Sequence, residues 1–266
     1  INPPDLFDRR AIVEADERID WAGDILAPLN TAQLETGLVR LVEEEQVEAL
    51  AVCFLNSFLN PAHEHAAYEI IRARYPDLFV TLSHAVFPVR GENRRWTTAV
   101  LNSFVQRGAC AYLDALNTRL REAGLAGGLT FFQGLGGGIS LARAREYPLA
   151  LLGSGPAGGA IGVNALARRM GIRHALIGDM GGTSFDTGII VDNTIHIEKN
   201  VDLGLVHTGV NIVDVVSVGT GGGSIAWIGE RGVPQVGPRS ASSEPGPAAY
   251  GKGGTEATVT DAMVMM

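Results

Sequence analysis

The sequence is sparing in the residues that build disulfide frameworks and metal clusters. Its 266 residues include only two cysteines, Cys53 and Cys110, whose spacing fits neither a disulfide scaffold nor a zinc site. Both fall in apolar-periodic stretches, which predicts two buried free thiols and a reducing, cytoplasmic setting. No uninterrupted apolar run approaches the roughly 20 residues that cross a bilayer, which excludes a transmembrane span from the reading. The opening Ile1-Asn-Pro-Pro-Asp5 lacks the charged-then-apolar pattern of a signal peptide, and it lacks a methionine. Positive charge is also scarce: 21 Lys and Arg against 29 Asp and Glu leave a net charge of −8. With no basic stripe to offset that charge, nucleic acid and anionic membrane are excluded as partners. The pairs Arg94-Arg95 and Arg168-Arg169 read as helix-surface charges. No repeat of fixed period is visible, which excludes a solenoid. The six histidines show no ligand spacing and no Ser-His-Asp or Cys-His arrangement. His63 and His65 flank Glu64, but positions i and i+2 diverge on a helix and cannot share a metal. Both are expected to face solvent in a first helical turn.

What is present is ordinary for a folded protein: 46% hydrophobic and 19% charged residues, in a length that admits two modest domains. The first 30 residues, rich in Pro and Asp, read as a peripheral loop or edge strand. Helical periodicity over Thr31–Gln46 puts Leu34, Leu38, Leu41 and Val42 on one face, with Asn30 or Thr31 as cap. Val47–Phe58 reads as a buried strand. Asn60-Pro61 opens a helix running to about Arg74, and Phe79–Ser83 reads as another strand. Thr97–Glu122 is the longest helical pattern, and Leu129–Phe132 a strand entering a glycine turn. A helix over Gly158–Met170 follows, and beyond residue 192 the chain turns β-rich and glycine-rich. Strands alternating with helices in the first two thirds predict an α/β architecture.

The most informative segment is Ile177-Gly-Asp-Met-Gly-Gly-Thr-Ser-Phe-Asp-Thr-Gly-Ile-Ile190. Two short apolar runs bounded by glycine predict a β-hairpin. Its turn carries Gly181 and Gly182, whose backbone N–H groups can converge on an anion, and the hydroxyls of Thr183 and Ser184. Asp179 and Asp186 would repel one another beside a bare phosphate but suit a magnesium ion between them. The spacing points to a nucleotide-phosphate loop, with Asp179 and Asp186 as candidate catalytic and metal-holding residues. A plain tight turn is the competing reading. Gly219–Ser224 (Gly-Thr-Gly-Gly-Gly-Ser) reads equally as a flexible turn or as a loop in which Gly221, Gly222 and Gly223 bring amides to a nucleotide. Asp214 is placed in a polar cluster, and Asp261 reads as a polar cleft residue or, in preference, as a helix cap. Arg95, Thr98 and Asn102 share one helix face near Glu92, which reads as a substrate-binding face or, in preference, as an internal hydrogen-bond network.

A second glycine motif competes. Gly153-Ser-Gly-Pro-Ala-Gly158 matches the dinucleotide-binding G-x-G-x-x-G pattern, between a strand read at Leu149–Leu152 and a helix, with Asp179 at the ribose-binding distance. Against it, Asp179 leads straight into Gly-Gly-Thr-Ser-Phe-Asp, and α/β units precede the motif rather than follow it. Close packing of a small-residue helix explains these glycines better.

With both motifs in view, the chain resembles the hydantoinase A/5-oxoprolinase family of the actin-like ATPase superfamily. The resemblance rests on Ser154-Gly-Pro-Ala-Gly-Gly-Ala-Ile-Gly162 followed at once by Asp179–Asp186. Further family-like segments are Ser57–Glu64, Glu92–Asn102, Val218–Ala226, Val236–Ala241, Pro245–Gly251 and Thr258–Ala262. Two departures stand out. The family's first Asp-x-Gly-Gly-Thr loop is not in this sequence, and its usual Ser-Asn-Gly-Gly turn is Gly134-Leu-Gly-Gly137 here.

The resemblance implies an α/β, RNase H-like, actin-like ATPase fold in an incomplete two-domain arrangement, read as a middle fragment inactive on its own. Residues 1–170 would be part of a first domain, with 1–85 resembling the family's N-terminal region. Residues 171–266 would start a second domain, with 97–266 resembling the hydantoinase A region. It also implies ATP and Mg²⁺ as cofactors, a small cyclic amide such as a hydantoin or 5-oxoproline as substrate, and a B-type partner subunit or domain. A homo-oligomer is compatible with this. The implied activity is ATP-dependent phosphorylation of the amide for ring opening. An ATP-dependent ketone carboxylase subunit and a non-catalytic nucleotide-binding subunit remain open as alternatives.

Overall fold

A computed structural model describes residue 6 and residues 8–266; the expectation for the opening Ile1–Asp5 stretch lies outside them. The first elements are β1 (Arg18–Ile19), β2 (Ile25–Ala27), α1 (Thr31–Val39), β3 (Ala49–Val52), α2 (Ala62–Arg74) and β4 (Phe79–Leu82). Next come α3 (Ser83–Val86), α4 (Glu92–Glu122), β5 (Thr130–Phe132), β6 (Gly138–Ser140), α5 (Leu141–Glu146) and α6 (Ser154–Arg169). Short strands then dominate: β7 (Ala175–Met180), β8 (Phe185–Val191), β9 (Thr194–Ile195), β10 (Ile197–Glu198), β11 (Asp202–Leu203) and β12 (Val206–His207). The chain ends with β13 (Ile212–Val213), β14 (Val216–Val218), β15 (Ser224–Ile228), β16 (Pro234–Ser240) and α7 (Val259–Met265). The α/β alternation and the later β-rich character are as the sequence predicts.

The chain forms two compact units, one of residues 1–152 with 198–212 and one of 153–197 with 213–266. In the first, β3 and β4 run parallel and α2 makes the crossover between them. Leu34 and Leu38 of α1 pack with Val52, Ala67 and Ile71 to form its core. Asn30 caps α1 by accepting from the Gln33 amide, and the helix continues as a π-turn over Arg40–Glu44.

Several expected boundaries shift, for physical reasons. The strand read over Val47–Phe58 is only Ala49–Val52. Beyond it, side chains take over the hydrogen bonds a ladder would make: the Phe54 N–H donates to Glu64, and Arg95 donates to the Phe54 carbonyl. The strand read at Leu149–Leu152 is a 3₁₀ turn, Pro148–Leu151, so no strand leads into Gly153-Ser-Gly155 and the dinucleotide fingerprint lacks its context. Helix α4 begins at Glu92 rather than Thr97, and α6 begins at Ser154 rather than Gly158.

Arg95 is fully buried, not a surface charge. Its guanidinium donates to Ser83, Val89 and Phe54 and lies over the Phe58 ring. His63 is buried too, where sequence placed it in solvent. Its Nδ1 lies 2.7 Å from Glu17 Oε2, which draws the first turn of α2 against the segment before β1. His65 is exposed as expected. Thr98 and Asn102 form the anticipated internal network. Thr98 Oγ1 accepts from the Gly209 amide and donates to the Arg94 carbonyl. Asn102 donates to Thr81 and to the Glu146 carbonyl, and accepts from the Leu149 amide.

In the second unit the antiparallel sheet runs β14-β8-β7, with β9 also paired to β8. One face carries Ala175, Ile177 and Ile190, which pack with Val213 of β13 on Ala157 and Ala160 of α6. The small residues of α6 let the helix lie close to these strands.

Candidate nucleotide-phosphate site

The β7–β8 hairpin is in register from Ala175↔Ile190 to Met180↔Phe185, which leaves Gly181–Ser184 as its tip. Side chains alternate across a strand, so the residues following Ala175 and Ile177 on the α6-facing side are Asp179 on β7 and Asp186 on β8. The face is therefore apolar where it rests on the helix and acidic where it approaches the tip. Asp179 pairs directly with Asp186, and Asp186 pairs on its other side with Ser217 of β14. Asp179 is exposed and Asp186 half-buried. The Asp179 carboxylate reaches the start of α6, where a Cβ built on Gly159 would lie 3.8 Å from Oδ2. Opposed like charges at the spacing of a cross-strand pair are unfavourable unless something positive or protic sits between them.

The tip itself is closed by one bond, from the Gly181 amide to the Ser184 carbonyl at 2.9 Å. Among the described residues, the amides of Gly182, Thr183 and Ser184 and both hydroxyls have no partner. A Cβ on Gly182 would meet nothing within 4 Å, and one on Gly181 only the Ser184 carbonyl at 3.7 Å. Internal packing therefore gives no reason for glycine at the tip, whereas close approach of an external anion does. Hard oxygen donors from two carboxylates, beside unpaired amides, also match the donor set that Mg²⁺ and phosphate require. No group of three or more His, Cys, Asp or Glu that would hold a metal alone exists among the described residues. A metal here would be completed by phosphate or water.

The glycine loop after β14 stands differently. The Gly221 amide donates to Ser224 Oγ, Gly222 to the Gly181 carbonyl and Gly223 to the Gly182 carbonyl, at 2.9, 2.8 and 2.7 Å. A Cβ on Gly221 would come within 2.6 Å of the Ser184 and Thr183 nitrogens, and one on Gly223 within 2.9 Å of the Gly182 carbonyl oxygen. A Cβ on Gly222 would sit 2.7 Å from Thr260 Oγ1. These glycines let one backbone lie on another and fasten the hairpin tip from behind, with their amides already used inside the chain. From there the Thr260 amide donates to the Gly222 carbonyl, tying the start of α7 to the same loop.

The remaining candidates fall into place away from the tip. Asp261 is the capping residue foreseen: it forms a capping box with Thr258 and accepts from the Ala249 amide. That bond is the first cause holding its carboxyl below the usual range, burial opposes it, and the bonds with Thr258 add to the lowering. Asp214 pairs with His196 at 3.0 Å. Glu92 stands in the first turn of α4. Cys53 and Cys110 are free thiols.

Sequence reasoning missed the fully buried Glu64. Its Oε1 accepts from the Phe54 amide and Ser83 Oγ, and its Oε2 accepts from the amide and Nδ1 of His84. Burial works to raise its pKa, but the bonds from His84, Ser83 and Phe54 outweigh it and hold the carboxyl below the usual range. The signal available was Glu64 on the same helix side as the apolar Ala67 and Ile71. The place of Ser217 opposite Asp186 is equally invisible in the sequence, because the partner of a third strand is unknown before register.

The family profile described as hydantoinase/oxoprolinase matches residues 95–266, and its N-terminal-region profile matches residues 2–75. The caprolactamase alpha subunit of Pseudomonas jessenii is 37% identical over 92% of this chain, which spans 35% of that protein. The acetophenone carboxylase gamma subunit of Aromatoleum aromaticum is 36% identical over 99% of this chain, which spans 37% of that protein. Among solved structures, nucleotide-free acetone carboxylase superposes with a TM-score of 0.79 at 26% identity, over 98% of this chain and 37% of that one. The ATP-dependent caprolactamase from Pseudomonas jessenii superposes with a TM-score of 0.78 at 34% identity, over 100% of this chain and 38% of that one. The chain thus spans little more than a third of these relatives. Its fold is the α/β, actin-like ATPase type that they share. The family profiles and the extent of these similarities establish that the chain belongs to the hydantoinase/oxoprolinase family.

Proposed function

We propose that this chain carries part of the ATP site of an ATP-dependent amidohydrolase subunit, which activates a small cyclic amide, such as a hydantoin or 5-oxoproline, for ring opening. The observation that carries the reading is the hairpin tip, where unpaired amides and glycines without an internal packing role stand beside the Asp179–Asp186 pair. Gly181, Gly182, Thr183 and Ser184 would hold ATP phosphates through backbone and hydroxyl donors. Asp179 and Asp186 would hold Mg²⁺, directly or through water, and would orient the acceptor. When bound, Mg²⁺ neutralises the charge of the phosphoryl group in transfer. Gly221, Gly222 and Gly223 would act at the nucleotide by fixing the tip's shape. The remainder of the cleft would come from polypeptide outside this sequence, so the chain alone is expected to be inactive.

Relatives named as alpha, beta and gamma subunits support a partner subunit of the B type. A homo-oligomer is compatible with that arrangement. Two free thiols, and the absence among described residues of any helix long and apolar enough to cross a membrane, fit a cytoplasmic setting. A second reading, an ATP-dependent ketone carboxylase subunit, is favoured by the likeness to acetone and acetophenone carboxylases. ATP hydrolysis by the full-length protein, with hydantoin, 5-oxoproline, caprolactam, or acetone plus bicarbonate tested one at a time, separates the readings. Stimulation by a cyclic amide supports the amidohydrolase, and stimulation by acetone with bicarbonate supports the carboxylase. Nucleotide binding with no turnover on any of them would leave a non-catalytic subunit.

A further inference from the structure

Asp186 has two cross-strand neighbours, and only one of them is an acid. On β7 it faces Asp179, and on β14 it faces Ser217. Directly paired residues of an antiparallel sheet point to the same face with Cβ atoms about 4.5–5.5 Å apart. The three therefore form one row, Asp179–Asp186–Ser217, across the acidic end of the face that α6 covers further down. The next residue of β14, Val218, faces the other side with Phe185 and Met180, as the register requires.

Ser217 is exposed, and its hydroxyl makes no hydrogen bond among the described residues. By contrast, Thr187 on the opposite face donates to the Val216 carbonyl. A serine with no structural bond, beside a carboxylate flanked on its other side by a second carboxylate, has an evident chemical use. Its O–H can take one Asp186 oxygen in a charge-assisted hydrogen bond and leave the other turned towards Asp179.

Resting on the nucleotide-site reading, we propose that Ser217 is a positioning residue of that site, which orients the Asp186 carboxylate so that it shares a divalent cation with Asp179. Ser217 acts through Asp186 and does not itself need to touch the nucleotide. The hydroxyl is the operative group, so threonine serves in its place and alanine does not.

The test is binding of Mn²⁺, used in place of Mg²⁺ and followed by the electron paramagnetic resonance of the free ion, to the full-length protein with ATP present. Four forms are compared: wild type, Ser217→Ala, Ser217→Thr and Asp186→Asn. Ser217→Ala is expected to weaken Mn²⁺ binding about three- to tenfold, the loss of one hydrogen bond to an exposed carboxylate. Ser217→Thr is expected to match wild type, and Asp186→Asn to weaken binding more than either. Because Ser217 is exposed on a terminal strand of its sheet, thermal melting should show both Ser217 variants folded. Wild-type affinity in Ser217→Ala, with weakened binding in Asp186→Asn, overturns this inference and leaves the nucleotide-site reading standing. A Ser217→Thr variant as weak as Ser217→Ala also overturns it, because the hydroxyl would then not be the cause. Wild-type affinity in Asp186→Asn overturns both.

Discussion

Asp179 and Asp186 stand directly opposite one another on neighbouring strands of the hairpin, two carboxylates on one face with a cross-strand spacing. Without a cation this arrangement costs stability. Like-charged pairs so placed are destabilising by about 0.2–1 kcal/mol, equivalent to about 1–3 °C in melting temperature for a chain of this size. Asp179→Asn is therefore expected to melt higher than wild type by that amount in chelator-treated, low-salt buffer. Addition of Mg²⁺ should raise the melting temperature of wild type and not of the variant, and calorimetry in both buffers checks it.

The two sets of glycines should separate folding from binding. Gly182→Ala places a methyl where nothing lies within 4 Å. Its stability should stay within about 0.5 kcal/mol of wild type while nucleotide binding falls. Gly221→Ala drives a methyl to 2.6 Å from the Ser184 and Thr183 nitrogens. It should cost about 1–3 kcal/mol through forced backbone movement. Paired denaturant unfolding and ATP-binding isotherms decide it, and equal behaviour of the two variants would remove the distinction.

Much of this site was legible from local pattern. The hairpin, its tip and the opposed positions of the two aspartates follow from glycine spacing between apolar runs, and the observed register has them so. The anticipated Asn30 and Asp261 caps and the Arg95–Thr98–Asn102 face are local features too. What was not legible depends on distant contacts. Phe54 leaves its strand because Glu64 and Arg95 claim its backbone groups. His63 is drawn inside by Glu17. The engagement of the Gly221–Gly223 amides requires knowing which carbonyls lie opposite.

The buried Glu64 gives the first unit an acid-sensitive element. Burial works to raise its pKa, yet the bonds that His84, Ser83 and Phe54 make to the charged form hold the carboxyl below the usual carboxylate range. A lowered carboxylate pKa contributes stability that is fully present above the unfolded value, about 4.3, and is lost as pH falls through the folded value. Unfolding free energy should thus decline on acidification below about pH 5. Glu64→Gln removes acceptors from buried donors and should cost about 2–4 kcal/mol at pH 7, with a flatter dependence at the acid end. Urea unfolding at several pH values between neutrality and pH 3 checks both.

The Gly134-Leu-Gly-Gly137 turn departs from the family's polar version, and the structure assigns different tolerances to its two changed positions. A Cβ on Gly134 would lie 1.8 Å from the Leu152 carbonyl oxygen, whereas Leu135 is exposed. Leu135→Asn should leave stability within about 0.5 kcal/mol of wild type, and Gly134→Ser should cost more than about 2 kcal/mol. Thermal melts of the two single variants measure this.

The most direct measurement of the central claim is amide hydrogen exchange at the hairpin tip, with and without Mg²⁺·ATP. The unpaired amides of Gly182, Thr183 and Ser184 should exchange fast in the free protein and slow markedly with nucleotide. The bonded amides of Gly221, Gly222 and Gly223 should be slow in both states. Unchanged exchange at Gly182–Ser184 under saturating Mg²⁺·ATP, in a full-length protein shown to bind the nucleotide, would contradict the assignment of this tip as a phosphate site.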